Sequence, residues 1–597
     1  MKKLIFVLTC LISAIPCQAR IITVDDDGFA EFNNIQAAIN DSNDGDIIIV
    51  QIGQYIENIN FMGKNITLRS TEPLNPSVVE STIINGNLSG SVVTFAGTES
   101  PTCYLSGFTI TNGSGTGVGD NYGGGIYGNG TLATIQHNII SGNQAASYYW
   151  PCSGYGGGIY DCDGTIRYNV ILENHAVCDE GTASGGGIYG CDGIIKSNSI
   201  WGNSAGGFAG GWGFIEGGGL SNCNGDILNN VVSGNYAGGW WGGARGGGLS
   251  NCNGTIQNNT IFGNRSEETR SGYIDYGGGL SGCDGTIRNC IIWQNIADQG
   301  TQIYESSTPS FSCIENWGSG GDGNIDFDPR FVSVGYWHLC GLPPRYPCWV
   351  ETGDYHLRSL AGRWDPDEQI WLLDSVTSPC IDAGNPGCPL GDEPAPNGNR
   401  RNMGAYGGTA EASKSPANWR SIADLTNDWA VDSNDLKVFA DYWLESGECI
   451  PSDFDHNQFV DFSDFAIFGL QWSYPSASEP GITYQIEKCD PNSFRSPAAE
   501  QETETRFTVI VEGSYIHFTD MMVANCCTDK LGLEMTVEDN LITIYEIEYI
   551  PGVCFCICDY PVTATLGPFE PDAYVLEVYE DWGGFIGSTI VVIDPPL

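Results

Sequence analysis

The sequence predicts an all-β protein whose main part is a solenoid of parallel strands, and three observations lead there. A glycine string, GGGIY or GGGLS, begins at Gly123, Gly156, Gly185, Gly217, Gly246 and Gly277, with spacings of 33, 29, 32, 29 and 31 residues. Between glycine turns the apolar residues alternate in short runs, the strand pattern, and no segment there is long or periodic enough for a helix. Two asparagine columns keep step with the glycines: Asn138, Asn169, Asn198, Asn230 and Asn259, broken at Cys290, and Asn143, Asn174, Asn203, Asn235, Asn264 and Asn295. Identical amides once per turn make sense if turns stack at about the 4.8 Å strand spacing, each amide bonding to the next.

Two further columns are less decisive. Cys162, Cys191, Cys223, Cys252 and Cys283 form either bridged neighbours or, better for five in a row, a buried thiol ladder. Asp163, Asp192, Asn224, Asn253 and Asp284 each precede glycine, which is turn chemistry first and a calcium row second.

The 597 residues carry 24 Lys plus Arg against 72 Asp plus Glu, a net charge of −48, so a nucleic-acid partner is excluded on electrostatic grounds. Lys2 and Lys3, an apolar stretch from Leu4 to Ile15 and a small-residue site ending at Ala19 predict a signal peptide over residues 1–19. Pro16 argues against a lipid anchor at Cys17. The 23 cysteines fit the oxidising compartment that export implies. No later stretch has the roughly 18–20 uninterrupted apolar residues of a membrane span, so the expected location is secreted, extracellular or at the cell surface.

With these units in view, the chain resembles a right-handed parallel β-helix of the pectin-lyase-like class. ITVDDDGFAEFNNIQAAINDSNDGDIIIV, then NITLRS, then LSGFTITNG resemble the N-terminal cap and first coils of secreted bacterial β-helix repeat proteins, with a capping helix over 32–40. NIDFDPRF, GDYHLRS, SPCIDAGNPG and NMGAYGG resemble their closing segment, except that Asn402 stands where the pattern usually has Asp. The resemblance covers about residues 20–410: a cap to 50, coils to about 330 and a closing segment over 331–410.

Length variation concentrates after the second asparagine column, in the insertions QAASYYWPCSGY, AVCDEGTAS, AGGFAGGWGFIE, AGGWWGGAR and RSEETRSGYIDY. Insertions at one phase of successive coils project from one corner. Their aromatics, Tyr148, Trp150, Trp212, Trp240, Trp241 and Tyr273 foremost, either bind sugar faces or cover the glycine-rich corner. Cys152 and Cys178 are placed to staple adjacent loops. Were the corner catalytic, Glu216 and Asp275 are the candidate carboxylates for glycoside hydrolysis. Arg167, in one column with Lys196 and Arg288, is the candidate base for a lyase. The Gly-His-Gly and paired-Asp strings of hydrolases with this fold are missing from the repeats, which favours binding over catalysis.

Beyond a short linker, IADLTNDWAVDSNDLKVFADYWLES and PSDFDHNQFVDFSDFAIFGLQW each read as an Asp-rich loop and an amphipathic helix. Asp453, Asp455, Asn457, Asp461 and Asp464 stand at loop positions 1, 3, 5, 9 and 12, a cadence of hard oxygen ligands suited to calcium. The first copy offers Asp424, Thr426, Asp428, Asp432 and Asp435. The pair, within residues 411–480, is similar to a type I dockerin, which implies calcium and a cohesin-like partner. Position 6, normally glycine, is Trp429 and Gln458. Residues 481–597 alternate as seven short strands, predicting a disulfide-containing antiparallel β-sandwich. The reading as a whole is a secreted modular protein that binds polysaccharide or a cell-surface assembly, with a polysaccharide lyase or glycoside hydrolase as the alternative.

Overall fold

The computed structural model describes residues 19–117, 119–147, 152–178, 181–206, 215–239, 243–267, 274–340, 346–351, 353–472, 481–486, 507–512, 515–525, 530–538, 541–549, 557–567, 569, 573–580 and 585–593. The chain forms two compact units. One comprises residues up to Ser415 with Leu425–Asn427 and Val438–Asp464; the other comprises Pro416–Asp424, Asp428–Lys437 and the chain from Phe465.

The first unit is a parallel β-solenoid. Each coil contributes one strand to each of three long sheets of ten, nine and ten strands, and every neighbouring pair in them runs parallel. Inward residues stack in register. One isoleucine row runs Ile135, Ile166, Ile195, Ile227, Ile256 and Ile287, and another runs Ile140, Ile171, Ile200, Val232, Ile261 and Ile292. All of these are buried in one continuous core. At its N-terminal end the helix Ile35–Asp41, capped by Asn34 Oδ1 accepting from Ala37 N, turns Ile35, Ala38 and Ile39 into that core. A second short helix, Pro76–Ser81, begins at Asn75 and Pro76 and interrupts the early coils.

The asparagine columns are amide ladders. Asn203 Nδ2 donates to Asn235 Oδ1 at 3.0 Å and to Ile171 O at 2.8 Å, while Asn203 Oδ1 accepts from both Asn174 N and Asn174 Nδ2. Buried backbone at a corner thus finds its partners in side chains. The ladder continues past its last asparagine, where Asn295 Nδ2 donates to Gln302 Oε1 at 2.7 Å. The five column cysteines are free and buried, and Cys162 N donates to Cys191 Sγ at 3.2 Å. The Asp/Asn turn column is also laddered, with Asp192 N donating to Asp163 Oδ1 and Asn224 N to Asp192 Oδ1.

Between the first and last of these coils a thin lobe extends from the solenoid. Its walls are two additional five-stranded parallel sheets: one contains Gln144–Ser147 and His175–Cys178, the other Ser153–Tyr155 and Thr182–Ser184. The lobe is filled by Ala176, Ala183, Ala205, Ala237 and Ala244 with Ile215, and the Cys152–Cys178 disulfide closes it. The described ends of each insertion lie one on each wall.

The glycine string forms the neck between lobe and core. Gly217 holds φ at 62°, the left-handed region glycine tolerates. A Cβ on Gly218 would sit 2.5 Å from Tyr236 C, and one on Gly219 would press on the Asn235 amide. The chain therefore pinches to backbone width where two strands pass.

The closing segment packs on the coils. Asn402 donates through Nδ2 to Ser413 O and accepts through Oδ1 from Asp382 N, while its own N–H donates to buried Glu393. An aspartate could not make the first bond, so the asparagine here fits its surroundings. Cys388 is bonded to Cys449, tying this segment to the second acidic loop within the same unit.

In the second unit, residues from Gly481 onward form two four-stranded sheets around one core that includes Ile516, Phe518, Ile544, Leu566 and Val578. Two expectations are corrected among the described residues. Eight strands are present rather than seven, the addition being Gly481–Ile486. The second sheet is mixed, because Leu541–Tyr549 pairs parallel with Ala573–Glu580 after the chain crosses to the first sheet and back. The cysteines at 489, 526, 527, 554 and 556 lie outside the described residues.

Candidate functional site

Where the lobe meets the solenoid, the left-handed glycines bend the chain and create an inner corner running along the coils. Two outward-facing columns line it. On the lobe wall, register places Tyr122, Tyr155, Ser184, Glu216, Arg245, Tyr276 and Gln299 in succession. On the solenoid wall the succession is Thr94, Tyr127, Tyr160, Tyr189, Ser221, Ser250, Ser281 and Tyr304. These positions alternate with core residues such as Ile126, Ile159 and Ile188, so strand geometry turns them out of the core; the tyrosines, Glu216 and Arg245 are partly exposed, while Ser184, Ser221, Ser250 and Ser281 are buried.

The columns face one another. Tyr127, Tyr160 and Tyr189 stack with their rings within 3° of parallel and centroids 5.6 Å apart. Across the corner, Tyr122 lies 4.9 Å from Tyr160 and Tyr155 lies 4.7 Å from Tyr189. Further along, Ser184 Oγ donates to Ser221 Oγ at 2.8 Å, and Asn251 Nδ2 donates to Glu216 Oε2 at 3.2 Å. Arg245 lies over the Tyr276 ring, which packs 4.3 Å from Tyr304. The corner thus has aromatic ends and a polar middle. Burial lifts the phenols of Tyr122, Tyr160 and Tyr189 above their ordinary pKa, keeping hydroxyls that donate and accept. Burial also raises the Glu216 carboxyl, against the opposing pull of Asn251 and Arg245.

The three catalytic candidates do not converge. Asp275, next to the Arg245–Tyr276 bridge, is buried in line with Ala244 and Ile215, where its Oδ1 accepts from Ala244 N at 2.9 Å. It caps backbone inside the lobe while Glu216 faces out, because successive strand residues alternate. Arg167 belongs to a different sheet, in register with Gln136 and Lys196, and its Nε donates to Gln136 Oε1. Lys196 opens instead on a cleft of about 460 Å³ beneath the closing segment, with Glu351, Asp392 and Glu411. The aromatics Tyr148, Trp150, Trp212, Trp240, Trp241 and Tyr273 lie outside the described residues. Tyr155 and Tyr276 belong to the insertion aromatics read from the sequence, whereas Tyr127, Tyr160 and Tyr189 went unread because IY in GGGIY looks like an apolar pair. Alternation with the core isoleucine was the signal that turns each tyrosine outward.

In the second acidic loop, ligand atoms of Asp453, Asp455 and Asp464 lie within 4.8 Å of one another, and in the first so do those of Asp424, Asp428 and Asp435. Burial, with the Asp464 and Asp455 charges, raises Asp453. Asn457, Asp461 and Asp432 accept instead from Phe459 N, Ser463 N and Asn434 N. Helices Ser433–Asp441 and Phe462–Gln471 follow the loops. Trp429 and Gln458 adopt φ of 73° and 69°, the bend usually left to glycine. The loops differ in charge balance: Arg420 makes a buried ion pair with Asp424 at 3.0 Å and lies 3.8 Å over Trp429. The donor set of the second loop, all carboxylate oxygen with a raised Asp453, fits calcium.

No family model matches the chain, and no curated protein does. Among solved structures, the crystal structure of pectate lyase Pel9A is similar with a TM-score of 0.29 and 16% identity, over 65% of this chain and 96% of that one. At that score the solenoid stands on its own strand register.

Proposed function

We propose that this is an exported, modular β-solenoid protein that binds polysaccharide along the inner corner between lobe and core. The observation that carries the reading is the pair of facing columns. Partly buried tyrosine rings recur at the coil spacing, with Glu216 and Arg245 beyond them on the same wall, a spacing that matches a chain of sugar rings laid parallel to the solenoid.

Binding is favoured over catalysis because Glu216 is the one carboxylate on the two columns, whereas hydrolysis needs a pair. The lyase-base candidate Arg167 lies on another sheet, and the one basic residue on the columns, Arg245, is engaged over the Tyr276 ring. Retention of the full chain on immobilised polysaccharides, with calcium present, tests the reading. New reducing ends, or unsaturated product absorbing in the ultraviolet, would transfer it to the lyase or hydrolase alternative.

The acidic loops serve as a calcium-dependent docking module with a cohesin-like partner. Asp453, Asp455 and Asp464 would hold the ion in the second loop, where it would neutralise three converging carboxylates. The first loop is the weaker site, since Arg420 already neutralises Asp424. Titration calorimetry of the full chain with calcium is expected to show one tighter event, lost in Asp464→Ala; no heat at all would retire the calcium reading.

A further inference from the structure

We infer that the corner groove accepts a neutral, hydroxyl-rich glycan and rejects polyuronates; the inference rests on the polysaccharide-binding reading and specifies its ligand class. A polyuronate carries one negative charge on every sugar, so a strand lying along the corner would bring roughly one carboxylate per coil. Among the described residues the two columns offer a single cation, Arg245, and its register neighbour is Glu216. Arg245 is further committed to the Tyr276 face at 5.5 Å.

The remaining groups suit uncharged sugars. Tyr122, Tyr155, Tyr127, Tyr160 and Tyr189 supply rings and hydroxyls, and Asn222 and Asn251 supply amides beside them. Ser250, in the middle of the solenoid-wall column, is 1% exposed and its Oγ has no protein partner. A buried hydroxyl of this kind gains from a sugar hydroxyl or a bridging water and gives nothing to a carboxylate's charge. Long-range electrostatics point the same way. The coils over 123–299 hold 6 basic and 13 acidic residues, within a chain of net charge −48. A polyanion is repelled before it reaches the groove.

The test is affinity electrophoresis of the full-length protein through gels containing mannan, xylan, β-glucan or galactan on one side and polygalacturonate or alginate on the other. Each gel is run with calcium and with chelator, at low and at physiological salt. Retardation by at least one neutral glycan, little changed by salt or chelator, is the expected result. Retardation by a polyuronate that exceeds every neutral glycan overturns the inference while leaving polysaccharide binding intact, including when it requires calcium. No retardation by any of them overturns both. Tyr160→Ala places the site: its affinity for the retarding glycan should fall roughly three- to tenfold, with the thermal transition of the full chain confirming folding. An unchanged affinity in a folded variant would move the ligand off the corner.

Discussion

The solenoid core and the lobe beside it are built by the same coils yet solve opposite packing problems. The core is wide and filled with stacked isoleucine, leucine and phenylalanine, and it keeps its column cysteines reduced and buried. The lobe is so thin that alanine fills it, glycine forms its neck, and a disulfide closes its end. A compartment that buries large side chains holds itself by hydrophobic area; one that buries methyl groups needs backbone ladders and a covalent tie.

That contrast can be broken at several points. The largest effect is expected at the asparagine ladder, which serves both compartments. Asn203→Ala removes the acceptor for Asn174 N–H and the donor to Ile171 O, both buried, and should cost about 3–5 kcal/mol in denaturant unfolding of the solenoid. A cost below about 1 kcal/mol would mean that water replaces the ladder.

Replacing Cys152 and Cys178 by serine opens a link across 26 residues, with about 3 kcal/mol expected. The loss should appear as faster hydrogen exchange confined to the lobe strands. Exchange spreading into the isoleucine rows would show that the lobe supports the core. In the same experiment the free column thiols should stay silent to a thiol reagent until denaturant is added, because they are buried.

Gly218→Ala forces a methyl against Tyr236 backbone at the neck and should cost about 2 kcal/mol, read as a lower thermal midpoint. An unchanged midpoint would show that the neck has slack. The smallest effect is electrostatic. Glu216 has a folded pKa raised by burial, so its stabilising contribution is present below the ordinary glutamate pKa and is lost as pH rises through the folded value. Glu216→Gln should flatten the stability profile across that window by less than about 1 kcal/mol. A steeper profile in the variant would reverse the assignment of burial as the dominant cause.

The repeat made much of this legible. Asparagine once per coil could be read as a ladder because a parallel stack brings identical residues to one strand spacing, while the capping helix, expected over 32–40 from the resemblance alone, forms over Ile35–Asp41. The catalytic candidates were not legible. Glu216 and Asp275 occur at equivalent insertions, but a one-residue offset along the lobe strands turns one to the corner and buries the other. In the last domain, the parallel pairing of Leu541–Tyr549 with Ala573–Glu580 was hidden, since alternation marks a strand without naming its neighbour.

By itself the sequence determined the repeating architecture, because stacking at one fixed spacing leaves its period in the glycines, asparagines and isoleucines. Tertiary structure alone decided the site. The tyrosines of GGGIY and those at the ends of the insertions come from two strands per coil. They meet only because left-handed glycines fold the lobe wall against the solenoid wall, a juxtaposition no linear spacing records.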